Sequence, residues 1–162
     1  MDSTDRRILT ALQSDARIPN AQIAKQIGMV PSGTHERIRK LEESGVIQGY
    51  HARLNAKAIG VSLLAFVFVR STERIGTTST AKRLAESPEV QEVHHVAGED
   101  CYLVKVRVAD TDALGHLLRE QFAKIESILS TRTTIVLETV KESVELPLPS
   151  SDAGVNASGG DA

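Results

Sequence analysis

The amino-acid sequence predicts an α+β protein in which a small helical domain precedes a domain of alternating strands and helices. Up to residue 45, apolar side chains recur at helical spacing. From Ser62 onward the order is strand, helix, strand, strand, helix, strand. The composition agrees with a folded chain, because 41% hydrophobic and 25% charged residues are close to the average of globular proteins.

These patterns divide the chain into three predicted parts. A helical domain occupies residues 1–60 and a βαββαβ domain residues 61–145. Residues 146–162 are predicted to be a disordered tail, because Pro, Ser, Gly, Asp and Ala predominate there. The first 60 residues carry nine Lys and Arg against six Asp and Glu, a net charge of +3, whereas the remainder carries −5. This asymmetry favours a polyanionic partner for the first domain.

Three helices are predicted before residue 46. The first begins after an N-cap at residues 2–4, the second is capped by Asn20 and stops at Gly28, and the third runs from Pro31 to Gly45. Residues 46–54 are predicted to be extended, with a turn at Gln48-Gly49. Two short helices joined by a turn, followed by an extended wing, form the outline of a winged helix-turn-helix. The residues predicted to face its core are Ile8, Leu9, Leu12, Ile23, Ala24, Ile27, Thr34, Ile38 and Leu41.

Polar side chains of the third helix are candidates for contact with double-stranded DNA. Small polar groups near its N-terminus can approach base edges in the major groove, while the helix dipole and the cationic side chains favour phosphates. The alternative is an ordinary solvated helix face, and the spacing of the residues leaves both interpretations open. The candidates are Ser32, Gly33, Thr34 (also at a core-facing position), His35, Arg37, Arg39 and Lys40.

The stretch Asn20–Asn55 resembles the DNA-binding domain of the leucine-responsive/AsnC (feast/famine) regulators, most specifically through Glu36-Arg37-Ile38-Arg39-Lys40-Leu41-Glu42 and Gly45-Val46-Ile47-Gln48-Gly49-Tyr50. The resemblance extends over about residues 2–145. It implies a transcriptional regulator that binds specific DNA sequences and whose dimers assemble into octamers or other higher oligomers. One departure is Val30, which stands where many relatives have a Ser that caps the helix before Pro31.

The second half is predicted to fold as a ferredoxin-like βαββαβ unit. Its helices are predicted at Thr77–Ser87 and from Thr111 onward. Such a sheet has helices on one side only, and the first strand is apolar on both faces, so the open face is predicted to contact a second subunit. The sequence therefore predicts a homodimer. The predicted strands are Ser62–Arg70, Gln91–Ala97, Cys101–Val108 and Thr131–Glu142.

Residues 96–106 and 131–134 resemble the effector-binding domain of the same family. The resemblance implies an amino-acid site between subunits, at the turn after the second strand and the start of the last strand. Many relatives have an Asp where Cys101 stands, and Glu99 or Asp100 can take its place opposite an ammonium group; alternatively, Gly98 serves only the hairpin turn. The residues implied are His95, Gly98, Glu99, Cys101, Thr133 and Thr134.

Other classes of protein find less support. The single cysteine and residues 1–7, which do not match a secretory signal, lead us to expect a cytoplasmic protein without disulfides, and no apolar run is long enough to cross a membrane. His94, His95, Cys101 and His116 do not match zinc spacings, so no metal or other cofactor is expected. No catalytic motif is present, and we expect no enzyme. A βαββαβ enzyme subunit and a winged helix that contacts only protein remain the alternatives.

Overall fold

The computed structural model describes residues 1–74 and 77–149, which form two compact units. The first unit contains Met1–Arg53 together with residues 142–149, and the second contains Leu54–Lys141. Of the tail predicted over residues 146–162, residues 150–162 lie outside the described part of the chain, whereas residues 146–149 belong to the first unit. No helix in the described ranges is long and apolar enough to span a membrane.

The first unit contains three helices, α1 (Ser3–Ser14), α2 (Asn20–Ile27) and α3 (Pro31–Glu43). A capping box of Asp2 and Asp5 begins α1, and α2 ends at Gly28, whose φ of +76° is the left-handed conformation that glycine adopts without strain. Val30 occupies the N-cap of α3 and provides no side-chain acceptor for the first turn. The core residues of this unit are Ile8, Leu9, Ile23, Ile38 and Leu41, which confirms the predicted stripes.

Residues 46–54, all of them described, form no strand. A strand needs a second extended segment as its hydrogen-bonding partner, and this segment is instead bonded to the end of α3. The amide of Ile47 donates to Leu41 O at 3.0 Å, and the Tyr50 hydroxyl donates to Glu42 Oε1 at 2.9 Å. Burial and the Glu42 carboxylate raise the pKa of Tyr50 to about 12. The predicted wing is therefore an irregular segment in this chain.

The second unit confirms the predicted βαββαβ order. It consists of β1 (Leu63–Ser71), α4 (Ser79–Leu84), β2 (Val90–His95), β3 (Tyr102–Val108), α5 (Thr111–Glu120), a 3₁₀ turn at Phe122–Lys124 and β4 (Ile128–Ile135). The strands form one sheet in the order β2-β3-β1-β4, in which every neighbouring pair is antiparallel. This arrangement is the ferredoxin-like topology that the sequence predicts.

The core of the second unit lies between the sheet and its two helices. Alternate residues of β3 are buried there, as the period of two along a strand predicts. The last strand was predicted over residues 131–142, but β4 begins at Ile128 and ends at Ile135. It ends there because its partner β1 begins at Leu63, and the Leu64 carbonyl accepts the last bond, from the Val136 amide at 2.9 Å.

Candidate DNA interface and effector site

The exposed face of α3 lies opposite its buried residues. Ser32, His35, Arg39 and Lys40 are exposed, and the Asn20 amide nitrogen of α2 lies 3.2 Å from His35 Nδ1. A Cβ atom at the half-buried Gly33 would lie 3.2 Å from Met29 Cε, so this glycine permits close packing beside α3. The face therefore presents polar side chains of two consecutive helices, with small residues near the N-terminus of α3.

Thr34 belongs to the core and not to this face. It is fully buried, and its hydroxyl donates to the Val30 carbonyl at 3.3 Å. A side chain in this position cannot reach a DNA base or phosphate. The prediction that Thr34 faces the core is confirmed, and its assignment as a DNA-contacting residue is wrong.

Arg37 is paired with the first helix. Its Nη1 lies 2.7 Å from Asp5 Oδ1 and 2.8 Å from Asp2 Oδ2. Hydrogen bonds to these carboxylates raise the pKa of Arg37, while the Asp5 amide and Arg37 lower the pKa of Asp2. The local periodicity did not reveal this pairing, because both carboxylates lie more than 30 residues away in sequence. Arg37 therefore has a structural contact that competes with any contact to phosphate.

The other two cations of α3 are paired within their own helix. Arg39 Nη2 lies 2.7 Å from Glu36 Oε1 and also pairs with Glu43, while Lys40 Nζ lies 3.6 Å from Glu36 Oε1. These hydrogen bonds raise the pKa of Arg39 and lower that of Glu36. Exposed pairs of this kind contribute little to stability, because solvent screens them. Arg39 and Lys40 are therefore free to exchange these partners for phosphates at small cost.

The turn between β2 and β3 contains most of the candidate effector residues. Gly98 has a φ of +138°, a conformation that side-chain-bearing residues rarely adopt, and the space around its α-carbon is open. Cys101 is half-buried, and its Sγ lies 3.6 Å from the Ser71 carbonyl. Because its surroundings are open, the Gly98 backbone is accessible to a ligand. Glu99, the next residue in the turn, provides a carboxylate close to it in sequence.

The remaining candidates do not share one side of the sheet. Thr133 pairs with the buried Val67 and lies on the helix-covered side, whereas Thr134 pairs with Phe66 and lies on the open side. His95 pairs with Tyr102, and their ring centroids lie 5.2 Å apart, also on the helix-covered side. A ligand on either face thus meets only part of the set that the family resemblance implies.

Arg132 is a candidate that sequence reasoning missed. Its Nη2 lies 3.1 Å from Asp100 Oδ2, and its Cζ lies 4.0 Å above the ring of Phe68. It therefore places a guanidinium beside the turn, where a ligand carboxylate could pair with it while Asp100 or Glu99 accepts from an ammonium. One feature of the sequence could have pointed to Arg132: it is an arginine among the threonines of a strand rich in β-branched residues.

Glu73 is a second residue that the sequence did not single out. Its Oε2 accepts from the Tyr102 hydroxyl at 2.8 Å, and its Oε1 accepts from the Ser79 amide at 2.7 Å and from the Ser79 hydroxyl. These donors, led by Ser79, hold the pKa of Glu73 well below its ordinary value of 4.5. Burial and the same bond raise the pKa of Tyr102 to about 12. Glu73 thus ties the start of α4 to the first residue of β3, beside the turn.

The open face of the sheet combines apolar and charged side chains. Phe66, Phe68 and Leu103 lie on it, each half-buried. On the same face Glu92 Oε1 lies 3.0 Å from Lys105 Nζ, and its Oε2 lies 3.1 Å from His94 Nε2. No cluster of three potential metal ligands occurs within residues 1–74 and 77–149.

Family models match both parts of the chain. A model described as "Winged helix-turn-helix DNA-binding" matches residues 1–48, and one described as "Lrp/AsnC ligand binding domain" matches residues 64–146. The leucine-responsive regulatory protein of Escherichia coli K12 is 40% identical over 150 residues, which is 90% of each protein. The first half of the chain thus matches a DNA-binding domain, and the second half matches a ligand-binding domain.

Solved structures agree with the sequence relatives. A transcriptional regulator of Neisseria meningitidis, in complex with L-methionine, superposes with a TM-score of 0.85 at 26% identity, over 91% of this chain and 96% of that chain. A feast or famine regulatory protein from M. tuberculosis, complexed with L-methionine, has a TM-score of 0.82 at 34% identity, over 90% and 97% of the two chains. The family resemblance inferred from the sequence is confirmed: the chain belongs to the Lrp/AsnC family of transcriptional regulators.

Proposed function

We propose that this chain is a cytoplasmic one-component regulator that acts by binding, not by catalysis. A homodimer presents two α3 helices to successive major-groove faces of double-stranded DNA, and an amino acid bound at the residue 96–101 turn changes DNA affinity or assembly. The observation that carries the proposal is the polar, exposed face of α3, opposite the buried Thr34, Ile38 and Leu41, directly after the tight turn at Gly28.

The proposed DNA contacts are shared among two groups of residues on α3. Small and polar side chains at its N-terminal end, where the helix dipole is positive, suit base edges and nearby phosphates. The cationic Arg39 and Lys40 follow one to two turns later on an exposed surface. Arg37 is proposed to orient α3 through α1. The set proposed to contact DNA is therefore Ser32, Gly33, His35, Arg39 and Lys40.

The open sheet face supports the homodimer. Phe66, Phe68 and Leu103 form a half-buried apolar strip on it, and an apolar strip on an open sheet face is typical of an interface. The flanking pairs Lys105–Glu92 and Arg132–Asp100 contain both signs of charge. A two-fold axis brings such a surface against a copy of itself with opposite charges able to meet. Further association of dimers into octamers or other rings is part of the proposal.

The turn and its neighbours suit an amino-acid effector. Arg132 offers a cation for the carboxylate, Asp100 and Glu99 offer acceptors for the ammonium, and Gly98 leaves its backbone accessible. Two similar proteins whose structures were solved in complex with L-methionine have the same fold. Any response requires that the effector bind one assembly or DNA-binding conformation more tightly than the other.

The test begins with a DNA duplex selected by the full-length chain from a random-sequence pool. Fluorescence anisotropy at several KCl concentrations is then repeated with each of the twenty amino acids. We expect affinity to fall steeply with salt, because phosphate contacts release counterions, and at least one amino acid to change it. Failure to select any duplex would contradict the DNA-binding proposal. Selection of a duplex without any amino-acid response would contradict only the effector proposal.

A further inference from the structure

After the ligand-binding domain, the chain returns to the first helix of the helical unit. Gln13 of α1 makes two hydrogen bonds with Leu146: the Leu146 amide donates to Gln13 Oε1 at 2.6 Å, and Gln13 Nε2 donates to the Leu146 carbonyl at 3.1 Å. The side-chain amide of Gln13 thus meets both backbone groups of one residue, as a neighbouring strand would.

Three further contacts hold the same segment. Leu148 is half-buried and packs against the core cluster that contains Ile8, Leu9, Ile23, Ile38 and Leu41. Arg6 Nη1 donates to the Pro149 carbonyl at 3.4 Å, and Arg53 Nη2 donates to the Glu142 carbonyl at 3.1 Å. In contrast, Val144 is 94% exposed. The segment is therefore anchored at particular residues along its length, between which the chain remains in solvent.

We infer that residues 142–149 form a C-terminal strap that is an integral part of the DNA-binding unit. The surface that receives it consists of Arg6, Gln13 and the apolar cluster beneath Leu148, and its partner is this one segment of the chain. The strap contacts α1 through Arg6 and Gln13, while Arg37 of α3 holds the N-terminal capping box of the same helix. Loss of the strap therefore loosens the helix on which α3 is oriented.

The strap also changes how the two units are connected. The chain leaves the helical unit after Arg53 and returns to it after Lys141. The ligand-binding domain is therefore covalently joined to the helical unit at both ends of the domain. A rearrangement of that domain can then reach α1 through the strap as well as through the first connection. This consequence rests on the proposed regulatory function, whereas the existence of the strap does not.

Hydrogen exchange in the full-length chain tests the strap directly. We expect the hydrogen-bonded or buried amides of residues 142–149 to exchange more slowly than the amides of an unstructured chain, and the effect to be strongest at Leu146. Gln13→Ala removes both hydrogen bonds to Leu146, and we expect exchange in α1 and in the strap to rise about fivefold. Since Ala has a higher helix propensity than Gln, intrinsic helicity would shift exchange in α1 in the opposite direction.

Matched variants separate the strap contact from general effects. Leu148→Ala removes apolar contact with the core, and Val144→Ala makes a similar change in the same segment where the side chain is exposed. Gln22→Ala, on the exposed side of α2, is the control for Gln13→Ala. We expect faster exchange in α1 for the two anchoring variants only. A chain that ends after Lys141 is compared with one that ends after Pro149, and we expect the shorter chain to exchange faster in α1, by at least as much as Gln13→Ala raises exchange.

DNA affinity gives a second readout with the duplex selected by the wild-type chain. We expect Gln13→Ala and Leu148→Ala to bind it about fivefold more weakly than their controls, at unchanged salt dependence, because no phosphate contact is removed. The strap proposal would be contradicted if residues 142–149 of the wild type exchanged their amide hydrogens as fast as an unstructured chain. It would also be contradicted if α1 exchanged equally fast in the anchoring and the control variants. A wild-type chain that selects no duplex contradicts the proposed function and leaves the exchange result to decide the strap.

Discussion

Arg37 of α3 and Asp5 of α1 form an ion pair in which Nη1 and Oδ1 lie 2.7 Å apart. Asp2 accepts from the same nitrogen at 2.8 Å, so the third helix is joined to the capping box of the first. Lys40 differs, since 68% of its side chain is exposed and its nearest carboxylate, on Glu36, is 3.6 Å away. Two cations three residues apart on one helix are thus expected to have different roles.

The first prediction separates these two cations by their effect on DNA binding. Lys40→Ala should reduce the slope of log affinity against log salt by about 1, because one phosphate contact is lost. Arg37→Ala should lower the midpoint of thermal unfolding of the helical unit, because Asp2 and Asp5 lose their cation. Lys82→Ala, on the exposed surface of α4, controls for the loss of one charge. An equal change of slope in the Lys82 variant would contradict the assignment of Lys40.

The second prediction concerns the open face of the sheet. Phe66→Asp places a charge in the apolar strip, and we expect the chain to sediment as a monomer at micromolar concentration, because the interface would lose a phenyl ring and would have to bury a carboxylate. Arg83→Asp, on the exposed side of α4, is a control that should stay at the wild-type size. A Phe66 variant that retains the wild-type sedimentation coefficient would place the interface elsewhere.

The third prediction tests the effector turn. Gly98→Ala should abolish the amino-acid response and leave DNA binding intact, because Ala is strained at a φ of +138° although its Cβ would meet open space. Gly115→Ala is the matched control: it lies within α5, and the atoms nearest to its Cβ would be those of the Arg119 guanidinium, at the far end of a long side chain. Calorimetry with L-methionine and the other amino acids measures binding. Equal effector affinity in both variants would remove Gly98 from the site.

The fourth prediction follows from the carboxylate of Glu73. Its pKa is lower in the folded chain than the ordinary 4.5, so its contribution to stability is present above about pH 5 and is lost as the pH falls toward the folded-state pKa. Glu73→Gln should therefore unfold at a temperature that depends less on pH below 5 than that of the wild type. Tyr102→Phe, which removes one of the donors, should lie between them. If the unfolding temperature depended on pH in the same way in all three proteins, the link between the Glu73 carboxylate and stability would be contradicted.

The fifth prediction uses the absent cap of α3. Val30→Ser should stabilise the helical unit by about 0.5–2 kcal/mol, because a hydroxyl at the N-cap can accept from an amide of the first turn. Val30 is 65% exposed, so its replacement removes little buried surface. Urea unfolding followed by circular dichroism measures the change, with Val46→Ser as the control at another exposed apolar residue. A loss of stability at residue 30 equal to that of the control would contradict the cap.

The elements of this protein were readable from the sequence because their signals are local. Helical spacing, the cap at residues 2–4, the glycine stop at Gly28 and Pro31 at the start of α3 predicted the three helices. The predicted cap of the second helix was wrong, because Asn20 is the first residue of α2 and Pro19 occupies the N-cap. The order of strands and helices predicted the ferredoxin-like sheet, since few topologies are compatible with it. Thr34 was predicted both to face the core and to contact DNA, and its burial in the structure decided for the core.

The contacts that define the candidate sites depended on the tertiary structure. Arg37 meets carboxylates 32 and 35 residues away, and Arg132 reaches Asp100 across the sheet. The separation of Thr133 from Thr134 follows from the period of two along a strand, but which of them faces the helices is set by pairing with β1. The return of residues 142–149 to α1 had no local signal, because a short polar and apolar segment gains order only from the surface that receives it. Local chemistry therefore determined the elements and the family, and long-range packing decided which of their side chains meet.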